Sequence, residues 1–353
     1  VKLDGVLWIK PSGVPMASLA AGDLVPLDQR VLLEVLDRPS NESNGDVDPV
    51  TAAGSAARLA EAHGRRPSVE LLFHALLPER YVLHTHPVVA NSVTCNQQGM
   101  ALTERLFGDG AVWVPYTDPG LPLARAIRSA RSSKEARTGR AAPAITFLGN
   151  HGLVVGADRV EDIEAQTFHL TELIEAELGR CPETEIPVMP STDPAIVNAI
   201  RAGLARPAVA FDGGPLAAWY TATHAGRSSV AGGPLTPDQI VYAGSWALVI
   251  DIDGVPVESV VGLVARQVAA CAARDAARDA ASPTVAVVPG VGVFATGERM
   301  SQAETVLDVY LDALRISAAA DRLGGVRHLS GPERTFIEHW EAEAYRRAVA
   351  TAG

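Results

Sequence analysis

The sequence predicts an α/β protein in two domains, and three observations carry the prediction. Segments with strand periodicity alternate with segments of helical periodicity along the whole chain. The 353 residues exceed what one modest core organises. Between Cys181 and Pro194 four prolines fall within fourteen residues, the composition of a linker or boundary. On this reading residues 1–190 form one domain and residues 195–353 a smaller C-terminal α/β domain of unknown role.

In chain order, Val6–Lys10 reads as a strand, followed by a Pro11-Ser12-Gly13 turn in which Gly13 lets the backbone approach a ligand closely. Strand and turn signals continue over Leu19–Asp37, including Val31–Leu36, and Arg38–Pro49 reads as a loop. Val50–Glu61 is Ala-rich and helical. A second amphipathic helix runs from Glu70 to Leu77 with Ser68 as N-cap, ended by Pro78.

Tyr81–His86 is the next strand, stopped by Pro87. Residues two apart on a strand share a face, so His84 and His86 present both imidazoles side by side, as two ligands for one metal ion. Ala90–Gln97, a helix over Leu102–Phe107 and a strand over Val112–Tyr116 follow, then a helix over Leu121–Ala130. Arg125–Arg140, the one basic cluster, carries the Ser, Lys and Gly content of a solvated loop. Ala144–Leu148 and Leu153–Val155 form a hairpin whose Asn150-His151-Gly152 turn offers a third imidazole. Three histidines leave one or two positions of a Zn²⁺ open, the arrangement of a catalytic rather than a structural ion. Each histidine alone is more often structural than ligating.

The clearest helix is Arg159–Leu178, with Asp158 and Glu161 as a capping box and Gly179 as its stop; His169 within it reads as a packing residue. Beyond the linker come a helix over Ala195–Leu204, an irregular Gly-rich stretch, a strand over Trp246–Ile252 and a helix over Val257–Ala281. A strand over Thr284–Val288, a Pro289–Gly292 turn and a helix over Ser301–Leu323 complete the second domain. Gly290 and Gly292 begin a nucleotide-loop pattern that Ala295 leaves unfinished.

With 41 acidic against 30 basic residues the net charge is −11, which argues against nucleic acid or an anionic membrane as partner. Three scattered cysteines (Cys95, Cys181 and Cys271) give no disulfide framework, and no apolar run is long enough to span a bilayer. A cytoplasmic enzyme is the expectation.

Ser68-Val69-Glu70, His84-Thr85-His86-Pro87, Val114–Gly120 and Asn150-His151-Gly152-Leu153, in that order, resemble the class II aldolase/adducin family, and Leu7–Gly13 extends the likeness over about residues 1–180. The resemblance implies a three-layer α/β/α domain with a central, mainly antiparallel sheet. It also implies His84, His86 and His151 as metal ligands and Glu70 as the base that shuttles the proton at the nucleophilic carbon. Tyr116 becomes the acid at the aldehyde oxygen, reaching a neighbour's site in a homotetramer, and Ser12, Gly13 and Ser68 the contacts of a substrate phosphate. The implied reaction is zinc-dependent cleavage of a ketose or ketose phosphate to dihydroxyacetone (phosphate) and an aldehyde, through a metal-stabilised enediolate. Mn²⁺, Co²⁺ or Fe²⁺ suit the same ligands. An epimerase, decarboxylase or dehydratase would use the same site, and a non-catalytic adducin-like scaffold is the reading from another class. Lysine is confined to Lys2, Lys10 and Lys134, none in an apolar pocket context, which disfavours Schiff-base chemistry.

The second domain resembles the part that joins aldolase to short-chain dehydrogenase in bifunctional rhamnulose-phosphate aldolases, carried by Gly233–Asp238 and Val288–Phe294; the dehydrogenase's Tyr-x-x-x-Lys is absent. The family's N-terminal helix and phosphate loop are expected before Val1.

Overall fold

A computed structural model describes residues 1–38, 47–60, 65–181, 192–276 and 281–342. Most of the expected loop over 38–49, the proline-rich linker and the end of the expected Val257–Ala281 helix lie outside these residues. The chain forms two compact units. The first comprises Val1–Thr94, Gln98–Glu177 and Thr335–Gly353, and the second Cys95–Gln97 and Leu178–Arg334. Thr335–Ala342 thus clusters with the first unit, although residues 195–353 are expected as one domain.

The first unit opens with β1 (Lys2–Leu3), β2 (Val6–Ile9) and β3 (Val25–Asp28), an antiparallel sheet in that order. Next come α1 (Gln29–Asp37), α2 (Pro49–Ala57), α3 (Leu71–Leu76), β4 (Tyr81–Thr85), α4 (Val88–Thr94) and α5 (Gly99–Phe107). β5 (Ala111–Val114), α6 (Leu121–Thr138), β6 (Ile145–Leu148), β7 (Gly152–Ala157) and α7 (Val160–Arg180) complete the run. The second sheet has the order β4-β7-β6-β5, antiparallel except between β5 and β6. On one face Val112, Val114, Leu148 and Val154 join a core with Leu71, Phe73, Leu123 and Ile127 of α3 and α6. On the other, α4 and α5 cover the sheet, with Phe107 and Phe147 ring centroids 5.0 Å apart. Helices on both faces make the three layers expected.

The second unit runs α8 (Pro194–Leu204), β8 (Ala208–Asp212), α9 (Pro215–Ala218), α10 (His224–Gly232), β9 (Leu248–Val249) and α11 (Val257–Ala276). β10 (Val285–Val288), β11 (Gly292–Gly297) and α12 (Met300–Arg322) follow, and α13 (Gly331–His339) begins in this unit and ends in the first. Its sheet has the order β8-β11-β10-β9. Alternate strand residues serve two cores: Val285, Val287, Val293 and Ala295 meet α12, while Ala286, Val288 and Phe294 join residues of α8 and α11.

Several expected elements change. Val31–Leu36 is helical, because Asp28 caps the segment by accepting from the Arg30 and Val31 amides and its apolar residues fit one helix face. The basic Arg125–Arg140 stretch is no loop: α6 continues to Thr138, with Arg131 and Lys134 buried, Arg131 against Glu79 at 3.1 Å and Lys134 against Asp109 at 3.3 Å. α7 runs through Gly179 to Arg180, and Asp158 accepts from the Arg80 amide at 3.0 Å. His169 is exposed, so it neither packs nor ligates. The Gly-rich stretch after Leu204 contains β8, and β11 follows the Pro289–Gly292 turn.

Candidate metal centre

The first unit gathers its chemistry at one end of the four-stranded sheet, where β4 stops and the β6–β7 turn begins. His84 pairs with Val154 and Thr85 with Leu153, so the last residues of β4 lie beside the start of β7. The turn itself spans three residues between Leu148 and Gly152, and Asn150 takes a φ of +50°, a left-handed conformation that asparagine tolerates better than most residues. The Asn150 amide donates to Thr94 O at 2.9 Å, and Asn91 Nδ2 donates to His151 O at 3.5 Å, which ties the turn to α4. Gly152 must be glycine: a methyl group there would overlap His86 Cδ2 and lie 2.6 Å from Thr85 O.

These constraints bring His84, His86 and His151 together. Ring centroids stand 4.8 Å apart for His84 and His86, 5.0 Å for His84 and His151, and 5.1 Å for His86 and His151. Glu70 joins them from the residue that precedes α3: its Oε1 is 3.0 Å from His84 Nε2 and 3.4 Å from His151 Nε2. Its carboxylate makes no cap hydrogen bond to its own helix, so it faces the histidines instead. One ligand atom from each of the four residues lies within 4.8 Å of all the others, and among the described residues no other group of His, Cys, Asp or Glu could hold an ion this way.

The donor set fits a divalent cation. His84 Nδ1 sits 2.9 Å from Leu153 O and donates to it, which fixes the tautomer and turns the Nε2 lone pair inward. His84 Nε2 and His86 Nε2 stand 3.0 Å apart, close to the roughly 3.3 Å that two nitrogens bound to one tetrahedral ion adopt. Burial pushes His151 down to about 4 despite its hydrogen bond with Glu70, so its imidazole is neutral near pH 7, the form that ligates. Burial opposes ionisation of Glu70, but the imidazoles of His84 and His151 beside it hold its carboxyl well below the usual range.

The other expected site residues fall into place unevenly. Pro11 and Pro67 form an antiparallel bridge, with the Ser12 amide donating to Arg66 O and the Ser68 amide to Lys10 O, each at 2.9 Å. That bridge sets Ser12 opposite Arg66 and Ser68 opposite Lys10, and Ser68 Oγ lies 3.4 Å from Glu70 Oε2. Ser68 is not the N-cap expected; Glu70 occupies that position and its own amide donates to Ser68 Oγ at 3.3 Å. Tyr116 follows β5 at the same end of the sheet, its backbone amide 2.9 Å from where a methyl group on Gly149 would stand, but it is not one of the four clustered residues. Sequence reasoning missed His74, which stacks on Phe73 at 4.7 Å and which burial pushes down to about 3. It also missed Asn91 of α4, whose hydrogen bond to the turn carries no local signal.

Two family models match the chain along most of its length. The class II aldolase and adducin N-terminal domain matches residues 1–178, and the second domain of class II aldolases matches residues 188–346. The chain is 23% identical over 374 residues to a protein of Bacillus subtilis (strain 168) named "Uncharacterized oxidoreductase YuxG", covering 98% of this chain and 52% of that protein. The chain thus spans about half the length of this curated relative. Among solved structures, the N-terminal class II aldolase domain of a conserved protein from Thermoplasma acidophilum is 20% identical, covering 49% of this chain and 75% of that one with a TM-score of 0.41. An aldolase II superfamily protein from Pseudomonas syringae is 20% identical, over 50% of this chain and 61% of that one, with a TM-score of 0.31. With half of its 353 residues matched by the N-terminal model and most of the rest by the second, the chain belongs to the class II aldolase and adducin family.

Proposed function

We propose that the chain is a zinc-dependent aldolase, a carbon–carbon lyase of carbohydrate metabolism. It reversibly cleaves a ketose or ketose phosphate to dihydroxyacetone or its phosphate and an aldehyde. One observation carries the reading: three imidazoles and a carboxylate converge on a point at the sheet end, with at least one tautomer fixed for ligation. A divalent cation held there supplies the positive charge that polarises a substrate carbonyl and stabilises the charge developing on its oxygen.

The chain's own groups supply the rest. Glu70, ionised and touching two of the imidazoles, takes the proton at the nucleophilic carbon and returns it. Ser12, Gly13 and Ser68 bind the phosphate or terminal hydroxyl; the Ser68 hydroxyl, 3.4 Å from Glu70 Oε2, supports this placement. Tyr116 donates a proton to the aldehyde oxygen as the bond forms, and does so in a neighbour's site within a homotetramer. The cytoplasm, where Cys95, Cys181 and Cys271 stay free thiols, is the compartment we assign.

Metal content of wild type and of His84→Ala, together with a retro-aldol assay over a panel of ketose phosphates before and after chelation, tests the reading. About one zinc ion per chain, lost along with aldehyde release in His84→Ala, is the expected result. Glu70→Gln should keep the ion and lose about 10²–10⁴-fold in rate. A metal-loaded protein that epimerises, decarboxylates or dehydrates its substrate without releasing aldehyde would move the assignment to that chemistry. A metal-free wild type would return it to the scaffold reading.

A further inference from the structure

From α3 onward the first unit is repeated, element for element, by the second. In the first unit the order from α3 is helix, strand, two helices, strand, long helix, a hairpin of two strands and a long helix. From α8 the second unit gives the same order, with α9 and α10 in place of α4 and α5. The sheets agree in connection and direction: β4-β7-β6-β5 and β8-β11-β10-β9 each contain two antiparallel pairs followed by one parallel pair.

The registers agree residue by residue. Leu148 pairs with Gly152 across three turn residues, as Val288 pairs with Gly292, which equates His151 with Val291. Thr85 pairs with Leu153 as Asp212 pairs with Val293, which equates His84 with Phe211 and His86 with Gly213. The crowding is copied too: a methyl group on Gly152 would meet Thr85 O and His84, and one on Gly292 would meet Asp212 O and Phe211. Before the first strand, the α8 start lies at the turn as the α3 start does, with Thr192 Oγ1 donating to Val291 O at 3.2 Å. There the acid has changed its task, because Asp193 caps its own helix by accepting from the Ala195 amide at 2.8 Å.

None of Phe211, Gly213 and Val291 offers a ligand atom at these positions. The Phe211 ring stacks on Phe294 at 4.6 Å and reaches within 2.7 Å of where a methyl group on Gly213 would stand, so a hydrocarbon fills the space beside Gly213. We infer that the second unit is an internal duplicate of the metal-binding fold that has exchanged its ligands for an apolar plug. Among its described residues the second unit therefore holds no ion, and a latent second site can be restored by Phe211→His, Gly213→His and Val291→His. Replacing Phe211 also removes the ring that crowds position 213. The inference rests on the reading of the first cluster as a metal site.

The test counts Co²⁺ bound to the full chain, by elemental analysis and by its visible absorption, in a His84→Ala background that disables the first site. That background should bind almost none, and the triple histidine variant made in it should bind about one ion per chain with a tetrahedral spectrum. Co²⁺ retained by the second unit of His84→Ala itself overturns the inference, as does a folded triple variant that gains none. If circular dichroism shows the triple variant unfolded, Phe211→His with Val291→His, which spares Gly213, takes its place; weaker but measurable uptake is expected and none overturns it. A wild type without metal sinks the aldolase reading separately, because the duplicate is judged by the gain on substitution.

Discussion

Gly152 is the residue on which the geometry of the centre turns. A side chain there would push into His86 and the Thr85 carbonyl, so Gly152→Ala should displace the β4 end from β7. We expect it to lose most of its metal, by elemental analysis, and about 1–3 kcal/mol of stability by urea titration. Asn150→Ala should cost about 1 kcal/mol for the left-handed φ of +50°, whereas Asn150→Gly should be close to neutral. At this scale the sequence was unusually readable: a histidine pair at strand spacing and a third in an Asn-His-Gly turn announce themselves through period two and turn chemistry. The role of Glu70 was not readable from the residues alone. Whether a carboxylate at a helix start caps that helix or turns away is decided by tertiary neighbours, here the imidazoles of His84 and His151. His74 was silent for the same reason, since its ring is defined by what packs over it.

Among the elements, α6 shows how local composition misleads. Its Arg, Ser and Lys residues suggest solvent, yet Arg131 and Lys134 are buried because partners wait for them on other parts of the first unit. Arg131 donates to Glu79 at 3.1 Å and to Pro143 O at 2.8 Å. Arg131→Met leaves the half-buried Glu79 carboxylate without its ion-pair partner and should cost about 1–3 kcal/mol, read from the denaturation midpoint. Adding Glu79→Leu should recover much of that loss, since the penalty lies in the abandoned charge rather than in the missing bond. α1 misled in the other direction: its apolar residues invite a strand, and the Asp28 cap together with a helical face decides otherwise. β8 went unseen because Gly and Pro surround a strand of five residues that is stabilised by pairing with β11 rather than by its own pattern.

For the whole molecule, metal binding and folding are linked, because the clustered ligands exist together only in the folded first unit. Saturating Zn²⁺ at about 100 times Kd should stabilise the protein by about 2.7 kcal/mol, and chelation should remove that increment and lower Tm. His84→Ala should show the same Tm with and without the ion. Among the described residues no helix is long and apolar enough to cross a bilayer. The proline-rich segment announced that the chain has two parts; what it hid is that the first part is not continuous. Thr335–Ala342 returns to the first unit, where Trp340 is 7% exposed, donates from Nε1 to Asp48 at 2.8 Å and packs over Gly120. Trp340→Ala should therefore cost about 3–5 kcal/mol, by calorimetry or denaturant, although it lies far in sequence from the histidines.

That return also sets a timetable. As a ribosome releases the chain from its N-terminus, residues for the second unit emerge before the tryptophan that closes the first core. A nascent chain halted just short of Thr335 would hold all four clustered side chains yet lack the aromatic seal over Gly120, and a protease would find its first half open until Trp340 arrives.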